Sequence, residues 1–285
     1  MIVLNYIIAV QPPIVLMHGF MTDKSDLNDL SAYLSEMIPD LYVLNCEVGN
    51  GYNDSIFMNI YSSVAELTKC IVNDPHLKSG FIALGYSQGG YLMRGYLQTK
   101  TPDMPRVLRF ISLSAPLAGY FCGVSNLCWN YPVFPDFINN LIGDLEYTDF
   151  VQNLLTGASY WNDPYKHNAY LAYKTHLCYL NNEVEFNSNY KSNFLEPDLY
   201  VLFGSPNDNI IVPWQSAWFG FFNSDDKTVQ KMEEREVYIQ DTFGLKTVNE
   251  EGKVVRIDSG LGHFKYVHNE EFIKEQLAPW VKMNV

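Results

Sequence analysis

The chain has 285 residues, enough for one large α/β core with insertions and too few for a string of separate modules. Its formal net charge of −13 argues against a nucleic-acid partner, because phosphate binding needs concentrated Lys and Arg. None of the five cysteines, Cys46, Cys70, Cys122, Cys128 and Cys178, has metal-ligand spacing, so no zinc or other metal is expected.

The first ten residues, Met1 to Val10, form an apolar run too short to span a bilayer. They read either as a short signal peptide ending near Ala9, the favoured reading, or as a first strand of a sheet. No other run is long and apolar enough for a membrane span. Ile14-Val15-Leu16-Met17 is a strand of the kind buried on both faces, and it runs into His18-Gly19-Phe20. Leu27, Leu30, Tyr33, Leu34 and Met37 recur at helical spacing over Asp26 to Met37, ended by Pro39. Leu41 to Leu44 is the next strand. Ser55 to Val72 reads as one longer helix with Ile56, Ile60, Val64, Leu67 and Ile71 on its packing face. Asn53-Asp54-Ser55 is a glycosylation sequon, meaningful only if the chain enters the secretory route.

A third strand then enters Leu84-Gly85-Tyr86-Ser87-Gln88-Gly89-Gly90, followed by a helix. This strand, Gly-x-Ser-x-Gly turn and helix is the pattern of a nucleophile elbow, with Ser87 as nucleophile. Roughly one chain of this length in ten carries the five-residue pattern by chance, so the flanking strand and helix decide the reading. Val107 to Leu113 is another central strand, ending at Ser114, a competing serine that lacks an elbow. Strands alternating with helices imply a mostly parallel sheet with helices on both faces, the α/β-hydrolase fold.

From about 120 to 193 the alternation stops. The stretch is rich in Trp, Tyr, Asn and Pro, with short helical patterns at Asp136 to Asp144 and Asp149 to Leu155. It reads as a helical cap insertion within a single domain spanning 11–285. Cys122 and Cys128 flank a short loop and could close a local disulfide in a secreted protein. Leu199 to Gly204 is a strand leading to Asn207-Asp208-Asn209. A hairpin is expected from Lys246-Thr247-Val248 through Asn249 to Gly252 and back along Lys253 to Ile257. The Gly-rich loop 258–263 ends in His263, and a closing helix starts near Asn269.

A serine nucleophile needs a base, and the base needs an acid that fixes its tautomer. Ser87, Asp208 and His263 occur in the chain order of α/β-hydrolases. Asp208 follows its strand, whereas Asp198 precedes it. His76, His167 and His176 come before the acid, and His268 lies past the loop. Backbone N–H groups of Phe20 and Gln88 are the candidate oxyanion donors, with Gly19 allowing the turn and His18 orienting the loop. The reaction is acyl transfer to Ser87 and then to water, for which no cofactor is needed.

The motifs Leu84 to Gly90, Tyr160-Trp161-Asn162-Asp163-Pro164, Asn207 to Pro213, Trp218-Phe219-Gly220-Phe221-Phe222 and Asp241 to Lys246 ahead of Gly262-His263 identify a family. The chain resembles the palmitoyl-protein thioesterases, lysosomal hydrolases that remove long-chain fatty acyl groups from cysteine thioesters. The resemblance runs from about Pro13 to Trp280. It implies Ser87 as nucleophile, Asp208 as acid and His263 as base. It also implies S-palmitoylated proteins or acyl-CoA as substrates, and a lysosome-like or secretory compartment. The family's Cys after the elbow helix is missing from Gln98 to Pro102, which leaves Cys70 expected to be unpaired. Pro213-Trp214-Gln215-Ser216 is closer to the family's second branch, and Ile210 and Trp214 are candidates for the acyl groove. Two alternatives stay open on the residues: an oxygen-ester lipase or esterase on the same scaffold, and a non-enzymatic acyl-lipid-binding protein.

Overall fold

A computed structural model describes residues 11–122, 145–224 and 227–283. The reading of Met1 to Val10, the helical pattern Asp136 to Asp144 and the place of Cys128 lie outside the described residues.

Six strands form one parallel sheet in the order β2-β1-β3-β4-β5-β8. They are β1 (Ile14–Met17), β2 (Val43–Cys46), β3 (Phe81–Tyr86), β4 (Val107–Leu113), β5 (Leu199–Gly204) and β8 (Val254–Asp258). A two-stranded antiparallel ribbon pairs β6 (Phe221–Phe222) with β7 (Val229–Gln230). Alternate side chains of the central strands feed two cores. Val15 and Met17 of β1, with Phe81 and Ala83 of β3, join one apolar cluster, and Ile14, Leu16, Ile82 and Leu84 join the other. This two-sided burial is why these strands are continuous β-branched and aliphatic runs. The first face is covered by α3 (Ile60–Val72), α4 (Gln88–Thr99) and the segments after β4 and β5. The second is covered by α1 (Asn28–Met37) and the closing helix, whose turns Phe272–Leu277 are π and Ala278–Val281 α.

The Asp26 to Met37 helix begins as a 3₁₀ turn, Lys24–Leu27, capped by the Asp23 carboxylate. The second strand sits two residues later than expected, at Val43–Cys46. The single helix expected over Ser55 to Val72 is two: α2 (Tyr52–Phe57) and α3, separated by Met58 and Asn59. Asn59 breaks the run because its side chain caps α3, accepting from the Tyr61 N–H at 2.9 Å. The break exposes the Met58 carbonyl to Thr156 Oγ1, which donates to it at 2.6 Å.

The hairpin expected at Lys246 to Ile257 is also corrected. Only Val254–Asp258 is a strand, and Leu245–Glu250 is a helix. The Asp241 carboxylate accepts from the N–H groups of Lys246 and Thr247 and from the Thr247 hydroxyl, satisfying the first turn. Leu245 and Val248, three residues apart, are the buried side chains, which suits a helix and not an alternating strand.

Cys70 is bonded to Cys46, against the expectation that it would be unpaired. The end of β2 lies beside α3, which brings Cys46 to Cys70. Cys122 is also disulfide-bonded, and Cys178 is a buried free thiol. The Cys46–Cys70 link spans 24 residues, so the chain-entropy argument gives about 3 kcal/mol of stability. A Cys46→Ala/Cys70→Ala double variant is expected to lose that amount in urea denaturation, with the other disulfide intact.

Candidate active site

All strands of the main sheet run the same way, so the loops after β1, β3, β5 and β8 leave from one edge. Those loops carry His18 to Phe20, Ser87, Asp208 and His263. Ser87 joins β3 to α4 with φ 54° and ψ −127°, a strained conformation for a residue with a side chain. It is held there by its N–H, which donates to the Leu113 carbonyl at 2.9 Å, and by its carbonyl, which accepts from Gly90.

The glycines of the elbow have steric causes. A Cβ on Gly85 would sit 2.3 Å from the Gly90 nitrogen, and one on Gly89 would sit 2.1 Å from the Met17 carbonyl oxygen. Both obstacles are backbone and cannot turn aside. Gly89→Ala is therefore expected to cost at least about 3 kcal/mol, read as a lowered melting temperature and a poor yield of folded protein. Gly19 is less tightly confined: a Cβ there would lie 3.2 Å from the Ser87 Cβ, so the His18-Gly19-Phe20 loop passes directly against the serine.

His263, 3% exposed, brings the expected side chains together. Its Nε2 lies 3.0 Å from Ser87 Oγ and its Nδ1 2.7 Å from Asp208 Oδ2. Tyr86 donates its hydroxyl to the His263 carbonyl at 3.2 Å, and Asn207 Nδ2 donates to the Gly260 carbonyl at 2.9 Å, which ties the acid and histidine loops together. Four other histidines are elsewhere: His176 beside the Tyr91 hydroxyl, His76 beside Asp74, His268 between Asp26 and Asp29, and His167 stacked on Tyr170.

Asp208 is held by donors on both oxygens. Oδ1 accepts from the N–H groups of Ile210 (2.9 Å) and Ile211 (3.0 Å), and Oδ2 accepts from His263 and from the Ser114 hydroxyl. Burial alone would raise this carboxyl, but the His263 charge and these hydrogen bonds outweigh it and hold it below the usual carboxylate value. Ser114 is therefore not a second nucleophile; it is fully buried and its proton is committed to Asp208. Asp208 adds stability that is present above the unfolded carboxylate value of about 3.9 and lost as pH falls through its lower folded value. Ser114→Ala removes one donor and raises that folded value. Its acid unfolding is expected to begin at a higher pH than wild type, as read by circular dichroism across a pH titration.

His18 is fully buried, with Nε2 2.7 Å from Glu47 Oε1 and Nδ1 2.9 Å from the Gly19 carbonyl. Burial lowers its pKa, and the nearby Glu47 carboxylate only partly opposes that. It braces the loop in front of Ser87. Gln88 opens α4, so its N–H belongs to the first turn, which a helix leaves without an internal partner, at the positive end of the helix dipole. The Phe20 ring packs on Ile56, Val151, Leu155 and Ala158. Ile210 is half-buried beside Asp208, and half-buried Trp214 packs edge-on against Trp218.

Sequence reasoning passed over Ser114 as an acid-holding group, and Tyr86, Asn207 and the side chain of Gln88. Tyr86 and Gln88 had a signal as part of the elbow motif and Asn207 as the first residue of the Asn207 to Pro213 motif, whereas Ser114 had none. The Gln88 amide is buried: Nε2 donates to the Ser55 carbonyl and Oε1 accepts from Tyr160, each at 2.9 Å.

A parallel sheet with a serine on its strand-to-helix turn and loops for an acid and a histidine at the same edge defines an α/β-hydrolase fold. Solved structures similar to it in fold include an esterase from Pyrococcus furiosus, at 11% identity and a TM-score of 0.50, covering 96% of this chain and 82% of that one. The chain belongs to the palmitoyl protein thioesterase family, whose pattern it matches over residues 13–263. It is 34% identical over 251 residues to palmitoyl-protein thioesterase 3 of Dictyostelium discoideum, covering 87% of this chain and 83% of that one. It is 31% identical to a lysosomal thioesterase PPT2 homolog of Drosophila melanogaster (94% and 91% covered) and 29% identical to the lysosomal thioesterase PPT2 of Homo sapiens (94% and 87% covered).

Proposed function

We propose that the protein hydrolyses long-chain fatty acyl thioesters, from the cysteines of S-palmitoylated proteins or from acyl-CoA, with Ser87, His263 and Asp208 as nucleophile, base and acid. The observation that carries this is His263 lying 3.0 Å from Ser87 Oγ on one nitrogen and 2.7 Å from Asp208 on the other. Asp208 holds the proton on Nδ1, leaving Nε2 free to accept the Ser87 proton as Oγ attacks the thioester carbonyl. The N–H groups of Phe20 and Gln88 stabilise the tetrahedral oxyanion. The C–S bond breaks, His263 returns its proton to the leaving thiolate, and the acyl group remains on Ser87. Water, deprotonated by His263, then attacks the acyl ester. Release of the fatty acid restores the serine.

Of the insertion expected at 120–193, the described residues 120–122 and 145–193 act as a cap over this site, and Ile210 and Trp214 line the acyl groove beside the acid. A lysosome-like compartment is supported by the names of the relatives. Among the described residues, no helix is long and apolar enough to cross a membrane. The test is a panel of palmitoyl-protein, palmitoyl-CoA and matched oxygen esters of graded length, with and without a fluorophosphonate. Long-chain thioesters are expected to turn over fastest and to be fully blocked by the probe. Preference for the oxygen esters would transfer the reading to a lipase or esterase, and no turnover of either, with no labelling of Ser87, would leave a lipid-binding protein.

A further inference from the structure

We propose that Ser55 is a positioning residue that sets the gap between the two oxyanion donors. The inference rests on the reading of Phe20 and Gln88 given above, and it adds a residue to which that reading assigns no part. Ser55 is fully buried in the short helix α2 and is bonded to both sides of the site. Its carbonyl accepts from Gln88 Nε2 at 2.9 Å, and its hydroxyl accepts from the Met21 N–H at 2.9 Å. The hydroxyl's one proton goes to the Tyr52 carbonyl at 2.7 Å, which leaves its lone pairs for Met21.

Met21 directly follows Phe20 and has φ 57°, a left-handed conformation that a side-chain-bearing residue seldom adopts without outside support. The Ser55 hydroxyl is that support. On the other side, the Gln88 amide is pinned at both ends, by Ser55 and by the Tyr160 hydroxyl, so the residue bearing the second donor cannot roll about the α4 axis. Helix α2 is itself tied down at its C-terminal end, where Thr156 Oγ1 donates to the Met58 carbonyl. Ser55 thus works as a spacer between the β1 loop and the start of α4, and it touches no reacting atom.

A displaced donor weakens binding of the tetrahedral oxyanion far more than binding of the planar substrate. The test compares Ser55→Ala with wild type using a palmitoyl thioester, a long-chain trifluoromethyl ketone that forms an oxyanion on Ser87, and the matching alkane that does not. Ser55→Ala is expected to lower kcat roughly 10- to 100-fold with little change in KM. Affinity for the trifluoromethyl ketone falls in step, and affinity for the alkane stays the same. Ser55→Thr, which keeps the hydroxyl, recovers most of the lost kcat. A kcat within about twofold of wild type in folded Ser55→Ala, or an equal loss of affinity for ketone and alkane, overturns the proposal. If Ser55→Ala fails to fold, Tyr160→Phe, which frees the other end of the Gln88 amide, is held to the same criteria. Undiminished turnover by Ser87→Ala would instead sink the underlying reading.

Discussion

Ser87→Ala is expected to reduce the kcat for palmitoyl-thioester hydrolysis by about 10⁴- to 10⁶-fold while leaving the fold intact. The chemistry loses the hydroxyl oxygen that lies 3.0 Å from His263 Nε2, and the residual rate comes from the oxyanion donors acting on water. The fold survives because alanine at φ 54° meets the same backbone strain as serine, and the bonds holding the turn, from the Ser87 N–H to Leu113 and from Gly90 to the Ser87 carbonyl, are main-chain bonds. Steady-state kinetics and a melting curve on the same preparation check both halves. A variant that loses stability along with activity would place Ser87 among the structural residues of the turn.

Asp208→Asn has the second-largest expected effect, a fall of about 10⁴-fold in kcat. Every neighbour of the Asp208 carboxylate is a donor: His263 Nδ1, the Ser114 hydroxyl, and the N–H groups of Ile210 and Ile211. An amide brings donors of its own, so one edge of the new side chain must face like groups. With its NH₂ toward Ile210 and Ile211, two main-chain donors lose their acceptor and the loop shifts. With its NH₂ toward His263, the imidazole adopts the tautomer protonated on Nε2 and cannot take the Ser87 proton. Kinetics on thioester substrate decide this, and a loss smaller than about tenfold would mean that Asp208 does not orient the base.

The parts of the architecture legible in the sequence are those whose cause is local. β1 and β5 are where continuous apolar runs put them, because strands buried on both faces leave no room for polar alternation, and β4 is where the mostly apolar run Val107 to Leu113 puts it. Ser87, Asp208 and His263 could be chosen from chain order, since a parallel sheet delivers its loops to one edge. What could not be read has its cause elsewhere in the chain. Asn59 interrupts an otherwise continuous helical stripe, and the interruption has its partner in Thr156, almost a hundred residues away. Lys246 to Val248 carries strand-forming residues, yet the Asp241 carboxylate caps them into a helix. Cys46 and Cys70 meet only because β2 packs beside α3. Ser114 looks like a stray serine at the end of a strand until the β5 loop places Asp208 against it.

The central claim is that the acyl group passes through Ser87. The most direct measurement mixes the protein with a palmitoyl thioester, quenches in acid within one turnover, and maps the acylated peptide by mass spectrometry. Palmitate on the peptide bearing Gly85-Tyr86-Ser87-Gln88-Gly89, appearing with a burst of free thiol, is the predicted result. Thiol release at the same rate with the acyl group on another residue, or with none attached to the protein, would contradict it.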